Sequence, residues 1–354
     1  MHRFIKRNTA FFILLFVINL LVSVVAFYIL PKKFFYDATI IALDKGNEIG
    51  FIGSYPLTIL FYKITGLRYL PYPIIALIQF PILMFVLYKI GVPNQFEKLN
   101  VKNGIIYLGI LMMAIFMSMP SKEFITFLFI SSIVFLFINE KEFSKWMVIK
   151  ALLLLSIFGV FYRPYFLLIA IIALVMYGAI LINFKNKTFA AIFYGILVAV
   201  FLSLSYGLVT GEYFSEISRE VVNSGRIGSV DANSSIISPI KPDTWYGETV
   251  GILYGFFSVN IPVNGFKHIF SPQILVFVIW QLMLFYILLV RFSKCIAARD
   301  EHKKELWILL ILFGFFIVQG VFEPDLGSAV RHKIGVFPLI YYTLYYEHFR
   351  KKLQ

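Results

Sequence analysis

The chain has 354 residues, 60% of them hydrophobic and 14% charged, with a mean hydropathy of +0.84 and a formal net charge of +13. No water-exposed surface can be assembled from that composition, so a soluble globular protein is excluded, and with it a separate soluble catalytic domain. Nucleic-acid binding is not expected either, because the basic surplus lies in short segments between apolar runs, where membrane orientation and anionic lipid account for it.

The apolar runs predict an all-α, polytopic transmembrane bundle of about ten spans. They cover residues 10–30, 70–90, 104–119, 123–139, 146–162, 164–183, 189–209, 272–291, 305–322 and 333–348. The N-terminal run follows Met1-His2-Arg3 and has signal-peptide character, but no small-residue cleavage site precedes Pro31-Lys32-Lys33. It is therefore expected to stay as an uncleaved first span. Pro120-Ser121-Lys122 and Arg163-Pro164 are the only breaks between neighbouring runs at those points, and they read as tight turns.

An even number of spans leaves both termini on one side, with two long loops, residues 31–69 and 210–271, on the other. Within those loops, residues 51–62 and 249–262 are apolar but too short to cross, and are expected to be re-entrant or interfacial helices. No internal repeat or low-complexity linker divides the chain, which reads as one integral membrane domain, 1–354. Nineteen Lys and Arg fall on the terminal side with seven acids, and thirteen fall on the loop side with twelve acids. Cytoplasmic loops are the basic ones, so both termini are expected in the cytoplasm. The single cysteine, Cys295, falls in an inner loop, so neither a disulfide nor a thiolate metal cluster is expected.

The outer segments carry the candidate chemistry. Asp37, Asp44 and Glu48 follow the first span at spacings of seven and four, which a helix would gather on one face. That pattern suits a solvated helix face and also a general base beside the membrane. Ser118-Met119-Pro120-Ser121-Lys122-Glu123 contains a helix cap and an acid in the first turn, and also an ammonium able to hold an anionic headgroup. Tyr162-Arg163-Pro164-Tyr165 sets one guanidinium between two apolar runs. An arginine there can snorkel, but a planar fork at membrane depth also suits phosphate.

The loop of 210–271 supplies Arg219 and Arg226 among a ladder of Glu212, Glu216 and Glu220, then Trp245 and Tyr246. The last outer loop is the densest, with Glu323, Asp325, Arg331, His332 and Lys333 within eleven residues. An interface anchor requires neither an acid pair nor a histidine; His332 suits proton relay, and Arg331 suits a diphosphate. No metal-ligand spacing, Gly-rich phosphate loop or nucleotide fingerprint is present, so no metal or cofactor is expected.

The Tyr36-Asp37 loop, Met-Pro-Ser-Lys-Glu (119–123), Tyr-Arg-Pro-Tyr (162–165) and Glu-Pro-Asp-Leu-Gly-Ser-x-x-Arg-His (323–332) together resemble bacterial Wzy-type polymerases of O-antigen or capsule repeat units. That resemblance implies a multi-pass protein of the bacterial inner membrane. It implies the joining of undecaprenyl-diphosphate-linked oligosaccharides at the outer face, without nucleotide sugar, alongside a partner that regulates chain length. By the same resemblance, Arg163, Arg219, Arg226 and Arg331, with Lys122, would hold diphosphate, and His332, Asp37, Glu323 or Asp325 would serve as base. Two other readings stay open: a lipid-phosphate-sugar-dependent glycosyltransferase with Asp37 as catalytic acid, and a polysaccharide flippase or transporter.

Overall fold

A computed structural model describes residues 5–43, 50, 52–140, 142–225, 234–268 and 270–353. The described residues are helical, with one isolated β-bridge between Ser235 and Asp325. The helices run α1 (Arg7–Ile29), α2 (Tyr36–Leu43), α3 (Ser54–Ile64), α4 (Tyr72–Ile90), α5 (Val101–Phe116), α6 (Lys122–Asn139), α7 (Lys145–Phe161) and α8 (Tyr165–Leu181). They continue with α9 (Lys187–Thr210), α10 (Val221–Ser224), α11 (Trp245–Asn260), α12 (Pro272–Ala297), α13 (Lys303–Phe322), α14 (Leu326–Gly335), α15 (Phe337–Leu344) and α16 (Tyr346–Leu353). Among the described residues, α1, α4, α6, α9, α12 and α13 are each long and apolar enough to cross a bilayer. The chain is a helical membrane protein in this sense. It forms two compact units, one of residues 1–147, 160–163 and 331–354, the other of 148–159 and 164–330.

In the first unit, α1 is apolar on every face and leaves Leu14, Val17, Leu21 and Val25 exposed, as a lipid-facing helix does. Its inner face stacks Phe16 on Phe80 of α4. Asn100 caps α5 by accepting from the Asn103 N–H at 2.9 Å, and the Asn103 amide donates to the carbonyls of Gln95, Phe96 and Lys98. One side chain thus satisfies the turn that carries α4 into α5. Gly109 admits the Phe337 ring of α15, since a Cβ there would lie 2.2 Å from it.

The expected last span, 333–348, is not one helix. It breaks at Val336 and again at Tyr345, giving the end of α14, all of α15 and the start of α16. Pro338 causes the first break: it has no N–H to donate to Ile334 and is suited to the opening turn of a new helix.

In the second unit, α13 is buried along almost its whole length. Helix α11 lies against it at Gly255, the last of three glycines at every fourth residue, of which Gly251 faces Arg219 and Gly247 faces the Lys241 carbonyl. At Gly255 a Cβ would fall 2.0 Å from the Gly320 carbonyl, so only glycine allows the approach. Asn260 ends α11 by donating to the Phe316 carbonyl at 3.1 Å, while its own carbonyl accepts from Gln281 at 3.3 Å. Sixteen residues give about 24 Å of helix, short of a bilayer core. The helix therefore stops partway along α12 and α13, and the chain returns through Pro262 and a 3-10 turn, Val263–His268.

Candidate functional site

Four segments distant in sequence meet in the first unit: the start of α2, the turn before α6, the residues after α7, and the second half of α14. Local rules set each one. Ser121, just past Pro120, caps α6 by accepting from the Phe124 N–H at 3.1 Å, which puts Lys122 and Glu123 in the first turn. The Tyr62 hydroxyl of α3 accepts from the Ser121 N–H at 3.1 Å. With its amide carbonyl accepting from Tyr62, the buried Gln79 donates to Met117 at 3.2 Å and Met119 at 2.9 Å, fixing the chain ahead of the turn. Tyr162 donates to the Lys122 carbonyl at 3.1 Å and shares a 2.6 Å hydrogen bond with Thr58. Arg163 follows at once.

Asp37 is the first hub. Its Oδ2 lies 3.3 Å from Arg331 Nη1 and 3.5 Å from Lys122 Nζ, and its Oδ1 accepts from the Tyr55 hydroxyl at 3.0 Å. Lys122 also sits 3.8 Å over the Tyr55 ring, a cation–π contact. Burial pushes the Asp37 carboxyl upward, but Lys122 and Arg331 together outweigh it and hold the group below the ordinary carboxylate value. Burial, and after it the Asp37 carboxylate, raises the Tyr55 phenol, which keeps its proton and remains a donor.

Glu123 is the second hub, and it lies deeper. Its Oε1 accepts from Arg163 Nη2 at 2.8 Å and lies 3.5 Å from His332 Nε2. The Glu123 and Arg163 side chains are 2% and 5% exposed, whereas those of Arg331 and His332 are 22% and 24% exposed. The site therefore has a sealed layer, Arg163–Glu123, and an open layer of Asp37, Lys122, Arg331 and His332. Adjacent residues divide between the hubs: Lys122 and Arg331 face Asp37, while Glu123 and His332 face each other.

The remaining sequence candidates lie elsewhere. Arg219, in the second unit, is fully buried and donates to the Gly251 carbonyl at 3.1 Å and the Gly320 carbonyl at 3.3 Å. Where the resemblance implies a diphosphate-holding arginine, the glycines of α11 make room for a guanidinium that donates to backbone. Asp325, expected as a catalytic carboxylate, caps α14, accepting from the Ser328 N–H at 2.8 Å and hydroxyl at 2.9 Å. Glu323 is buried and accepts from the Gln319 amide at 2.9 Å. Arg226, Asp44 and Glu48 lie outside the described residues. Tyr55 and the hub role of Glu123 were not foreseen.

Asp37, Glu123 and Arg331 line, with Phe34, Ile115 and Phe116, a narrow crevice of about 10 Å³, room for about one water molecule. Counting Lys122, Arg163 and Arg331 against Asp37 and Glu123, the cluster carries one surplus positive charge with His332 neutral. Such a site can bind an anion at Lys122 and Arg331, and can move a proton at an imidazole oriented by a carboxylate. No protein-family model matches the chain, and neither curated proteins nor solved structures show significant similarity to it.

Proposed function

We propose that this chain is a membrane glycosyltransferase of the polymerase kind, joining undecaprenyl-diphosphate-linked oligosaccharide units for O-antigen or capsule. One observation carries the reading: Asp37, Lys122, Glu123, Arg163, Arg331 and His332 converge from four distant segments of a helical membrane protein. We assign the cluster to the outer face of a bacterial inner membrane, with both termini in the cytoplasm and about ten crossings, from the charge asymmetry of the connecting segments. Helix α11, too short to cross, is then a re-entrant element of the second outer loop.

In this reading a terminal sugar hydroxyl on one lipid-linked unit attacks the anomeric carbon of the chain carried on another. The new glycosidic C–O bond forms as the bond from the anomeric carbon to diphosphate oxygen breaks. His332, oriented by Glu123, takes the hydroxyl proton. The bond electrons leave with the lipid diphosphate, whose charge Lys122 and Arg331 neutralise. Arg163 fixes Glu123 and is a positioning residue. The linkage energy is already present in the diphosphate ester, so no nucleotide is consumed.

The position of Asp37 favours a second reading. It stands in the first turn of the helix that follows α1, 19% exposed, and lines the crevice. Single-sugar transfer from a lipid-phosphate sugar with Asp37 as the catalytic carboxylate fits that position. Product size separates the two. Deleting the gene in its host and separating the surface glycan by length should remove the ladder and leave single repeat units. A ladder of normal length defeats the polymerase reading, and a repeat unit short by one sugar identifies the transferase.

A further inference from the structure

The turn between α12 and α13, in the second unit, gathers another set of ionisable side chains. Cys295 lies in the last turn of α12, one turn after Arg291, so the two share a helix face. The chain then reverses tightly: the Glu301 and His302 N–H groups both donate to the Ala298 carbonyl at 3.2 Å, and His302 opens α13 as its N-cap residue. Glu305, three residues on, is thereby brought against the end of α12, where Arg291 Nε donates to its Oε1 at 2.8 Å. Its other oxygen, Oε2, faces His302 Nδ1 at 3.7 Å. One ligand atom from each of Cys295, His302 and Glu305 lies within 4.8 Å of the others. Cys295 and Glu305 are buried, and the imidazole is 20% exposed, which leaves the set a path to solvent.

We propose that Cys295, His302 and Glu305 form a binding site for a zinc-type divalent ion, with solvent as the fourth ligand. The donor set selects the ion. Zinc accepts a thiolate, an imidazole and a carboxylate together, whereas magnesium or calcium would find a single suitable oxygen. Metal bonds of about 2.0–2.3 Å draw a tetrahedron with edges of roughly 3.3–3.8 Å. The 3.7 Å from His302 Nδ1 to Glu305 Oε2 is already of that size. No pair of ligand atoms in the set exceeds 4.8 Å, so the set closes on an ion with shifts of about 1 Å. Arg291 holds the far oxygen of Glu305, the kind of outer partner that a ligating carboxylate ordinarily has. Cys295 gives its proton to solvent as the ion binds, so two anionic ligands and one guanidinium leave a net negative charge to receive it. The proposed topology puts this turn in the cytoplasm, where a thiol stays reduced. The spacing Cys-x6-His-x2-Glu carries no recognisable metal pattern, because its members are divided between two helices that only the turn brings together. The inference is independent of the proposed function, whose residues belong to the first unit.

The test is titration of the full-length, tag-free protein in detergent with cobalt(II), a coloured stand-in for zinc. Cys295 is the only cysteine in the sequence, so a sulfur-to-cobalt charge-transfer band reports this site alone. In the wild-type protein that band should saturate at one ion per chain, and added zinc should bleach it. His302→Ala removes a ligand at a partly exposed ring and should weaken cobalt binding by at least ~10-fold. His268→Ala, outside the set, should leave binding unchanged. Zinc should also raise the melting temperature of the wild-type protein and not that of Cys295→Ser. A wild-type protein that shows no charge-transfer band at saturating cobalt overturns the site without recourse to any variant. Cobalt affinity that is undiminished in both His302→Ala and Glu305→Gln overturns it as well.

Discussion

Arg331 and Asp37 stand 294 positions apart in the chain and meet at 3.3 Å, Nη1 to Oδ2. Lys122 joins them at 3.5 Å. Two cations thus share one carboxylate, an arrangement in which a diphosphate, with more acceptor oxygens and more charge, can compete with the carboxylate for both. Replacing Arg331 with Ala removes the guanidinium while leaving Lys122 to hold Asp37. The expected result is a correctly folded protein whose transfer rate falls about 10²-fold, the scale of one lost transition-state donor. Replacing it with Lys should restore only part of the rate, because an ammonium does not reproduce the planar fork. Glycan ladder length in a complemented deletion strain reads the effect.

Asp37 also carries a pH signature. Its carboxyl is raised by burial but lowered further by Lys122 and Arg331, so its folded value lies below the unfolded one of about 3.9. For a depressed carboxyl, the stabilisation is fully present above the unfolded value and disappears as pH falls through the folded one. Thermal unfolding in detergent should therefore show a constant contribution from this group between neutral pH and about pH 5, and a loss below about pH 4. Asp37→Asn should flatten that acid limb. An unchanged acid limb in the variant would show that Asp37 is not tied to the two cations.

The buried pair predicts a different behaviour. Glu123 and Arg163 are almost sealed from water at 2.8 Å, so removing one partner strands a charge. Glu123→Gln should destabilise the protein by about 3–5 kcal/mol, and Arg163→Met by a similar amount. The double replacement should recover part of the loss. By contrast, Glu347→Gln at the exposed Glu347–Arg350 pair should change stability by less than about 1 kcal/mol. Melting temperatures of purified variants in one detergent distinguish these cases.

The glycine stripe of α11 gives a fourth prediction. An alanine Cβ at Gly255 would sit 2.0 Å from the Gly320 carbonyl and 2.4 Å from the Arg219 guanidinium. Backbone cannot yield as a side chain can, so Gly255→Ala should cost more than about 2 kcal/mol, the range of overpacking at a rigid contact. Gly178 in α8 meets nothing within 4 Å of its Cβ position. Gly178→Ala should therefore be neutral or stabilising by up to about 1 kcal/mol, the helix preference of alanine over glycine. A paired melting experiment checks the sign of each.

Much of the fold was legible because bilayer spans announce themselves by length and hydropathy. The expected runs at 10–30, 70–90, 123–139, 189–209 and 305–322 coincide, within a few residues, with α1, α4, α6, α9 and α13. Pro120 and Pro164 marked the tight turns for a simple steric reason. Pro338 had the same meaning, yet its apolar surroundings hid it, and the last run was read as continuous. The spacing of Gly247, Gly251 and Gly255 was also readable as a close-packing face. What no single-chain pattern could supply was the partner in space that each of these features implies.

The candidate site divides in the same way. Each of Asp37, Lys122, Arg163, Arg331 and His332 stood out as a charge at the border of an apolar run. Their pairing depends on segments as distant as residues 37 and 331, which periodicity does not encode. Tyr55 was passed over because a tyrosine in a short apolar stretch has no local mark of function, although its hydroxyl meets Asp37 at 3.0 Å. Asp325 shows the opposite case: its neighbours form a dense charged string, while the Asp-x-x-Ser spacing to Ser328 is the mark of a local helix cap, which the structure forms.

The most direct test is reconstitution. Purified protein in a bilayer, given only undecaprenyl-diphosphate-linked repeat units, should produce glycans of increasing length and release one free undecaprenyl diphosphate per linkage. Arg331→Ala and His332→Ala should each slow the release of both products by about 10²-fold or more. Elongation at the wild-type rate in both variants, or a wild-type protein that lengthens nothing and releases no lipid diphosphate, would contradict the account.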